Sequence, residues 1–110
     1  MKHTVRLEQD TAVVVLEGDV DLEHSPAARK VLLECLQQGR HVLVDMSGVS
    51  YIDSSGVASL VEAFQNARRK GTRFALAAVS SSALRVLELA RLDKVFTIYR
   101  TVADGTAGNG

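Results

Sequence analysis

Apolar residues along the chain change their spacing several times, and each change marks an element. Val5 and Leu7, then Ala12-Val13-Val14-Val15-Leu16, are β-rich runs separated by the turn-prone Gln9-Asp10-Thr11, which predicts an antiparallel hairpin closed by Gly18 and Asp19. Ser25-Pro26 offers a helix N-cap followed by proline at the first helical position. From there Ala28, Val31, Leu32, Cys35 and Leu36 recur at three- and four-residue spacing, so a helix is expected to about Gln38, with Gly39 as its C-terminal cap. His41-Val42-Leu43-Val44-Asp45-Met46 is nearly continuous in apolar character, as in a strand covered on both faces, and Ser47-Gly48 signals a turn after it. Val57, Leu60, Val61, Phe64 and Ala67 form the clearest helical stripe, over about Ser54 to Lys70, with Gly71 as its cap. Phe74 to Val79 reads as a further buried strand. Ser80-Ser81-Ser82 then starts a third helix with Ala83, Leu84, Leu87 and Ala90 on its apolar face, and Val95 to Tyr99 makes a last strand.

The order ββαβαβαβ, with helices long enough to cross over, predicts an α/β fold. Its mixed β-sheet has about five strands, the later ones parallel, with three to four helices packed on it. At 110 residues and 46% hydrophobic the chain can bury a single core without disulfides or metal. Residues 1–102 are expected to form that domain. Residues 103–110, small and glycine-rich, are expected to be a disordered tail.

Charge and cysteine content narrow the function classes. Thirteen Lys plus Arg balance thirteen Asp plus Glu, so the basic field that neutralises phosphates is missing and nucleic acid is not an expected partner. Charges interrupt every apolar run well before the roughly eighteen residues of a membrane-spanning helix, so direct insertion is not expected. The one cysteine, Cys35, reads as a buried core thiol, and Met1-Lys2-His3-Thr4-Val5-Arg6 lacks a secretory apolar stretch; a cytoplasmic location is the expectation. His3, His24 and His41 have neither metal-ligand spacing nor cysteine company and read as incidental; no metal or cofactor is expected. Neither a Gly-x-x-x-x-Gly-Lys phosphate loop nor the first glycine of a Gly-x-Ser-x-Gly elbow is found, so an enzyme is not the expected reading.

Ser47 to Gly56 stands out because it brings a carboxylate and two hydroxyls to the start of the strongest helix, at a strand end where open α/β sheets place their sites. First-turn N–H groups lack helical partners and the helix dipole is positive there, so a phosphate on Ser54 or Ser55 is electrostatically accommodated. Ordinary N-capping by Asp53 uses the same residue types, and spacing alone does not separate the two readings. Gly56 fits either unobstructed access to Ser54 or close helix packing.

The run Val44-Asp45-Met46-Ser47-Gly48-Val49-Ser50-Tyr51-Ile52-Asp53-Ser54-Ser55-Gly56-Val57 resembles the signature of STAS domains, in particular the anti-sigma factor antagonists. The similarity extends from about Val5 to Tyr99, taking in Leu16-Glu17-Gly18-Asp19-Val20-Asp21 and Arg91-Leu92-Asp93-Lys94-Val95-Phe96. It implies a protein-binding switch. The unphosphorylated form holds an anti-sigma factor that is also a serine-protein kinase; the kinase uses its own ATP to phosphorylate Ser54, and a serine phosphatase resets the system. By the same resemblance Asp53, Ser54, Ser55 and Gly56 form the recognition surface. Asp19 and Asp21 adjoin it, although turn formation after a strand explains those two equally well. Ser80, Ser81 and Ser82 are expected to act as caps only. Where family members often carry glycine this chain has Arg91, so its third helix is expected to end without a left-handed residue. An alternative job on the same fold is that of a cytosolic subunit bound to the ATPase of a lipid-transporting ABC system, with the equivalent serine unmodified.

Overall fold

A computed structural model describes residues 1–107. Nine elements follow one another along it: β1 (Lys2–Glu8), β2 (Thr11–Val20), α1 (Ser25–Gln37), β3 (His41–Ile52), α2 (Ser54–Lys70), β4 (Phe74–Ala77), α3 (Ser81–Leu89), β5 (Thr97–Tyr99) and α4 (Val102–Ala107). The five strands form one sheet in the order β1-β2-β3-β4-β5. The β1–β2 hairpin is antiparallel and the other pairs are parallel, so each later strand is reached by a helical crossover as the alternating pattern requires.

The main core lies on one face of the sheet. Val14, Leu16, Val44, Met46 and Leu76 meet Leu32 and Leu36 of α1, Leu60 and Ala67 of α2, and Leu87 of α3. Each large aliphatic side chain so buried contributes about 1.5–3 kcal/mol. Phe64, Phe74 and Phe96 close the lower end as an aromatic cluster with ring centroids 5.5–6.5 Å apart. Cys35 is buried in this core, and that burial, with Glu34 beside it, pushes its thiol pKa up.

Five local expectations are corrected. β3 does not turn at Ser47-Gly48: β2 continues beside it to Val20, and the ladder absorbs the mismatch as register shifts between Val15 and Glu17 and between Gly18 and Asp19. Val49 and Ile52 on the extended half are buried, which holds the strand on the core. Ser25 is not the cap of α1. His24 occupies that position without a side-chain cap, and the entry turn is held by Asp21, whose carbonyl accepts from the N–H groups of His24 (3.1 Å) and Ser25 (2.7 Å).

The third helix does end on a left-handed residue, Arg91 itself (φ +61°). The N–H of Leu92 donates to the Leu87 carbonyl (2.8 Å) and that of Arg91 to the Glu88 carbonyl (3.0 Å), the same double closure that Gly71 (φ +74°) and Thr72 give α2. The last strand is shorter than Val95–Tyr99, because the Val95 and Phe96 N–H groups turn back to the Leu92 carbonyl.

The fifth correction concerns the tail. Residues 103–107 belong to α4, which packs on the opposite sheet face against Leu43, Ala75, Ala77 and Tyr99 through Val102. Gly105 is buried there. A Cβ at that position would stand 2.6 Å from Leu43 Cδ2, so the absence of a side chain permits the helix to settle on the strands. Residues 108–110, the rest of that expectation, lie outside the described residues.

Candidate functional site

The C-terminal ends of β2 and β3 run side by side into the start of α2, with Asp19 opposite Tyr51 and Val20 opposite Ile52. The Asp53 N–H donates to the Val20 carbonyl at 3.3 Å, and the chain then enters the helix. Asp53 is the N-cap, with extended backbone (φ −110°, ψ −173°). Its Oδ1 accepts from the N–H groups of Ser55 (2.9 Å) and Gly56 (3.1 Å), while Oδ2 accepts from the N–H of Leu22 (3.1 Å). One carboxylate therefore caps α2 and ties the β2–α1 loop to it.

Ser54 is the first helical residue and is exposed; among the described residues its hydroxyl makes no hydrogen bond. Ser55 is half-buried behind it, and its carbonyl accepts from Ser59 Oγ at 3.2 Å. The same hydroxyl lies 3.3 Å from the Ser25 carbonyl, which joins the start of α1 to the second turn of α2. Gly56 is buried, and a Cβ there would lie 2.3 Å from the Val20 carbonyl oxygen and 2.7 Å from Ile52 Cγ1. Close packing of helix on strand decides that glycine, because its missing side chain points into the molecule and not toward a partner.

The two further acidic candidates part company. Asp19 is exposed on β2, opposite Tyr51 of β3. Asp21 instead serves the α1 entry: its Oδ1 accepts from His24 Nδ1–H (2.7 Å) and from the His24 backbone N–H (3.1 Å). Burial works to raise its pKa, but these hydrogen bonds and the His24 charge outweigh it and hold the carboxyl below the usual range. His24 is thus not incidental, and neither is His41, whose Nδ1 accepts from the Arg73 N–H at 2.9 Å where β3 and β4 begin.

Two features of this surface were not found from sequence. Leu22, whose N–H donates to Asp53, is 74% exposed, and Tyr51, opposite Asp19 in the ladder, is 52% exposed. An apolar residue set between Asp21 and Glu23 was the available signal for Leu22. The serine cluster before α3 also does more than mark a helix start. Ser80 has no side-chain cap bond; its Oγ donates to the Val49 carbonyl (2.7 Å) and Ser82 Oγ to the Ser50 carbonyl (3.1 Å), pinning α3 to the strand that leads into the site.

Both Asp53 oxygens are occupied by backbone N–H groups, and among the described residues no histidine or lysine hydrogen-bonds to Ser54.

A sequence model of the STAS domain matches residues 3–105. The chain belongs to the STAS domain family. Among curated STAS-type relatives, it is 24% identical over 94 residues to the anti-sigma-B factor antagonist of Bacillus subtilis strain 168, covering 86% of both chains. Among solved structures, an anti-sigma factor antagonist from Mycobacterium paratuberculosis superposes with a TM-score of 0.89 at 23% identity, covering 97% of this chain and 92% of the other. The antagonist SpoIIAA in its unphosphorylated form gives a TM-score of 0.81 at 19% identity over 99% of each chain. The phosphorylated Bacillus SpoIIAA gives 0.76 at 18%, over 96% of this chain and 97% of that one. These likenesses establish a STAS fold across the described chain, with a mixed five-stranded sheet and four helices. No helix of the described residues is long and apolar enough to cross a membrane.

Proposed function

We propose that this STAS protein is an anti-sigma factor antagonist whose binding surface is switched by phosphorylation of Ser54. The observation that carries the reading is the exposed, unbonded Ser54 hydroxyl at the first residue of a 17-residue helix, beside a carboxylate already committed to three backbone N–H groups. The similarity to the anti-sigma-B factor antagonist and to SpoIIAA, solved in both phosphorylation states, supports it.

In its unmodified state the surface offers Leu22 and Tyr51 as apolar anchors around Ser54, with Asp19 and Asp53 at its margin and Ser55 and Gly56 shaping its floor. The partner is an anti-sigma factor with serine-kinase activity, and its capture frees the sigma factor. The kinase transfers the γ-phosphoryl group of its own ATP to Ser54 Oγ; the serine proton goes to the kinase's base and ADP leaves. The product carries about 1.5–2 additional negative charges beside Asp53. Those charges must be desolvated if the partner is to close over Leu22, so the complex dissociates. The fold is unaffected, because Ser54 contributes no side-chain bond to it and the positive end of α2 tolerates an anion. A serine phosphatase then restores the binding form.

Peptide mass spectrometry of the protein isolated from its native cells tests this reading. Phosphate on the 54–56 segment, absent in Ser54→Ala and without any on Ser80 to Ser82, is the expected result. Unmodified Ser54 in every growth state, with a transporter ATPase co-purifying, would replace the switch by the transporter-subunit role.

A further inference from the structure

We infer that this protein forms a two-fold dimer by antiparallel pairing of β1 with β1 of a second copy, a property separate from the Ser54 switch. β1 ends the sheet: β2 pairs with one side, and among the described residues no strand pairs with the other. An unpaired edge is a template for another strand, and edges are ordinarily blunted by charge, proline or a covering element. β1 contains no proline, and among the described residues no helix packs on it as α1 packs on β2.

Its side chains divide by parity. Lys2, Thr4, Arg6 and Glu8 lie on one face. His3, Val5 and Leu7 lie on the other, paired with the core residues Leu16, Val14 and Ala12, yet Val5 and Leu7 remain 42% and 54% exposed. The apolar face of the core thus continues onto a strand whose Val5 and Leu7 are left about half open.

The charges on the polar face select one register. With Val5 on the two-fold axis, Lys2 stands opposite Glu8 of the second copy, Thr4 opposite Arg6, and His3 opposite Leu7. Opposite charges then face each other at both ends, and Val5 and Leu7 of the two copies form one continuous apolar strip. Sliding the strands by two residues in one direction sets Lys2 against Arg6; sliding them the other way sets Arg6 against itself. Shifts by a single residue place apolar side chains on the polar face. Among registers that keep at least about five residues of each strand paired, the charges therefore leave one self-complementary pairing, and it is the one that pairs the whole of β1 from Lys2 to Glu8. Because Lys2 lies opposite Glu17, near the functional end of β2, the axis through Val5 sends the two Ser54 sites to opposite ends of the joined sheet, where both stay open.

Sedimentation equilibrium of the full chain over a concentration series reads this directly. The wild type and Ser54→Ala should both fit a monomer–dimer equilibrium. Lys2→Glu and Glu8→Lys should each raise the dissociation constant roughly tenfold or more, and the double variant K2E/E8K should return it toward wild type. In the presence of oxidised glutathione, Val5→Cys should cross-link to its own copy and His3→Cys should not, since His3 faces Leu7. A monomer at every concentration would overturn the dimer. A double variant no tighter than the single ones, or equal cross-linking at positions 3 and 5, would overturn this register. Loss of the Ser54 switch would touch neither result.

Discussion

Asp53 joins three backbone N–H groups from two segments of the chain, so its loss should be felt in stability before it is felt in binding. Asp53→Ala is expected to lower the free energy of unfolding by about 1–2 kcal/mol, and Asp53→Asn by less, since the amide oxygen can still cap; urea denaturation measures both. Arg91 presents the opposite case. A side chain is held at φ +61° where glycine would suffer no strain, so Arg91→Gly should raise stability by about 0.5–1 kcal/mol, read as a higher urea midpoint with unchanged slope. Asp21 supplies a pH dependence. Its folded pKa lies below the ordinary value of 3.8, so the folded protein binds that proton more weakly than the unfolded chain. Its stabilisation is complete above the unfolded pKa and is lost as pH falls through the lowered folded value. In acid titrations of the thermal midpoint, the gap between wild type and Asp21→Asn should therefore close on acidification. Residue types marked the segment from Asp53 to Gly56 and the family resemblance singled out Ser54, but neither divided the labour among these residues. That division depends on distances such as the 2.3 Å a Cβ of Gly56 would leave to the Val20 carbonyl, which only the fold creates.

Elements with strong periodicity were legible, and those set by a neighbour were not. The stripe of α2 fixed its limits at Ser54 and Lys70, because burial of one helical face imposes a 3.6-residue period whatever lies opposite. Ser47-Gly48 carries a turn signal, yet β3 passes through it because β2 offers a ladder on one side and Val49 and Ile52 are drawn into the core. In α4, small residues that resemble a linker are those that fit a helix against Leu43, Ala75 and Ala77; Val102 and the alanines facing it were the only signal. Gly105→Val should accordingly undock α4, lowering stability by about 1–3 kcal/mol, and hydrogen exchange should lose protection across residues 102–107 while α2 stays protected. Unchanged protection there would mean that α4 does not depend on this close approach.

At the scale of the molecule, β2 and β3 deliver two loops to one end of the sheet, and the bonds of Asp53, Ser59, Ser80 and Ser82 lock α1, α2 and α3 around it. That end of the molecule exposes the Ser54 hydroxyl together with the large apolar side chains Leu22 and Tyr51. The chain has no formal net charge, so a phosphate on Ser54 changes the local field without having to overcome a large field of either sign. Calorimetric titration of the anti-sigma factor kinase with this protein, with and without phosphate on Ser54, tests the central claim most directly. Tight binding of the unmodified form and of Ser54→Ala, weakened at least roughly a hundredfold by the phosphate, is the predicted result. Equal affinity of the two forms, with the fold intact in both, would contradict it.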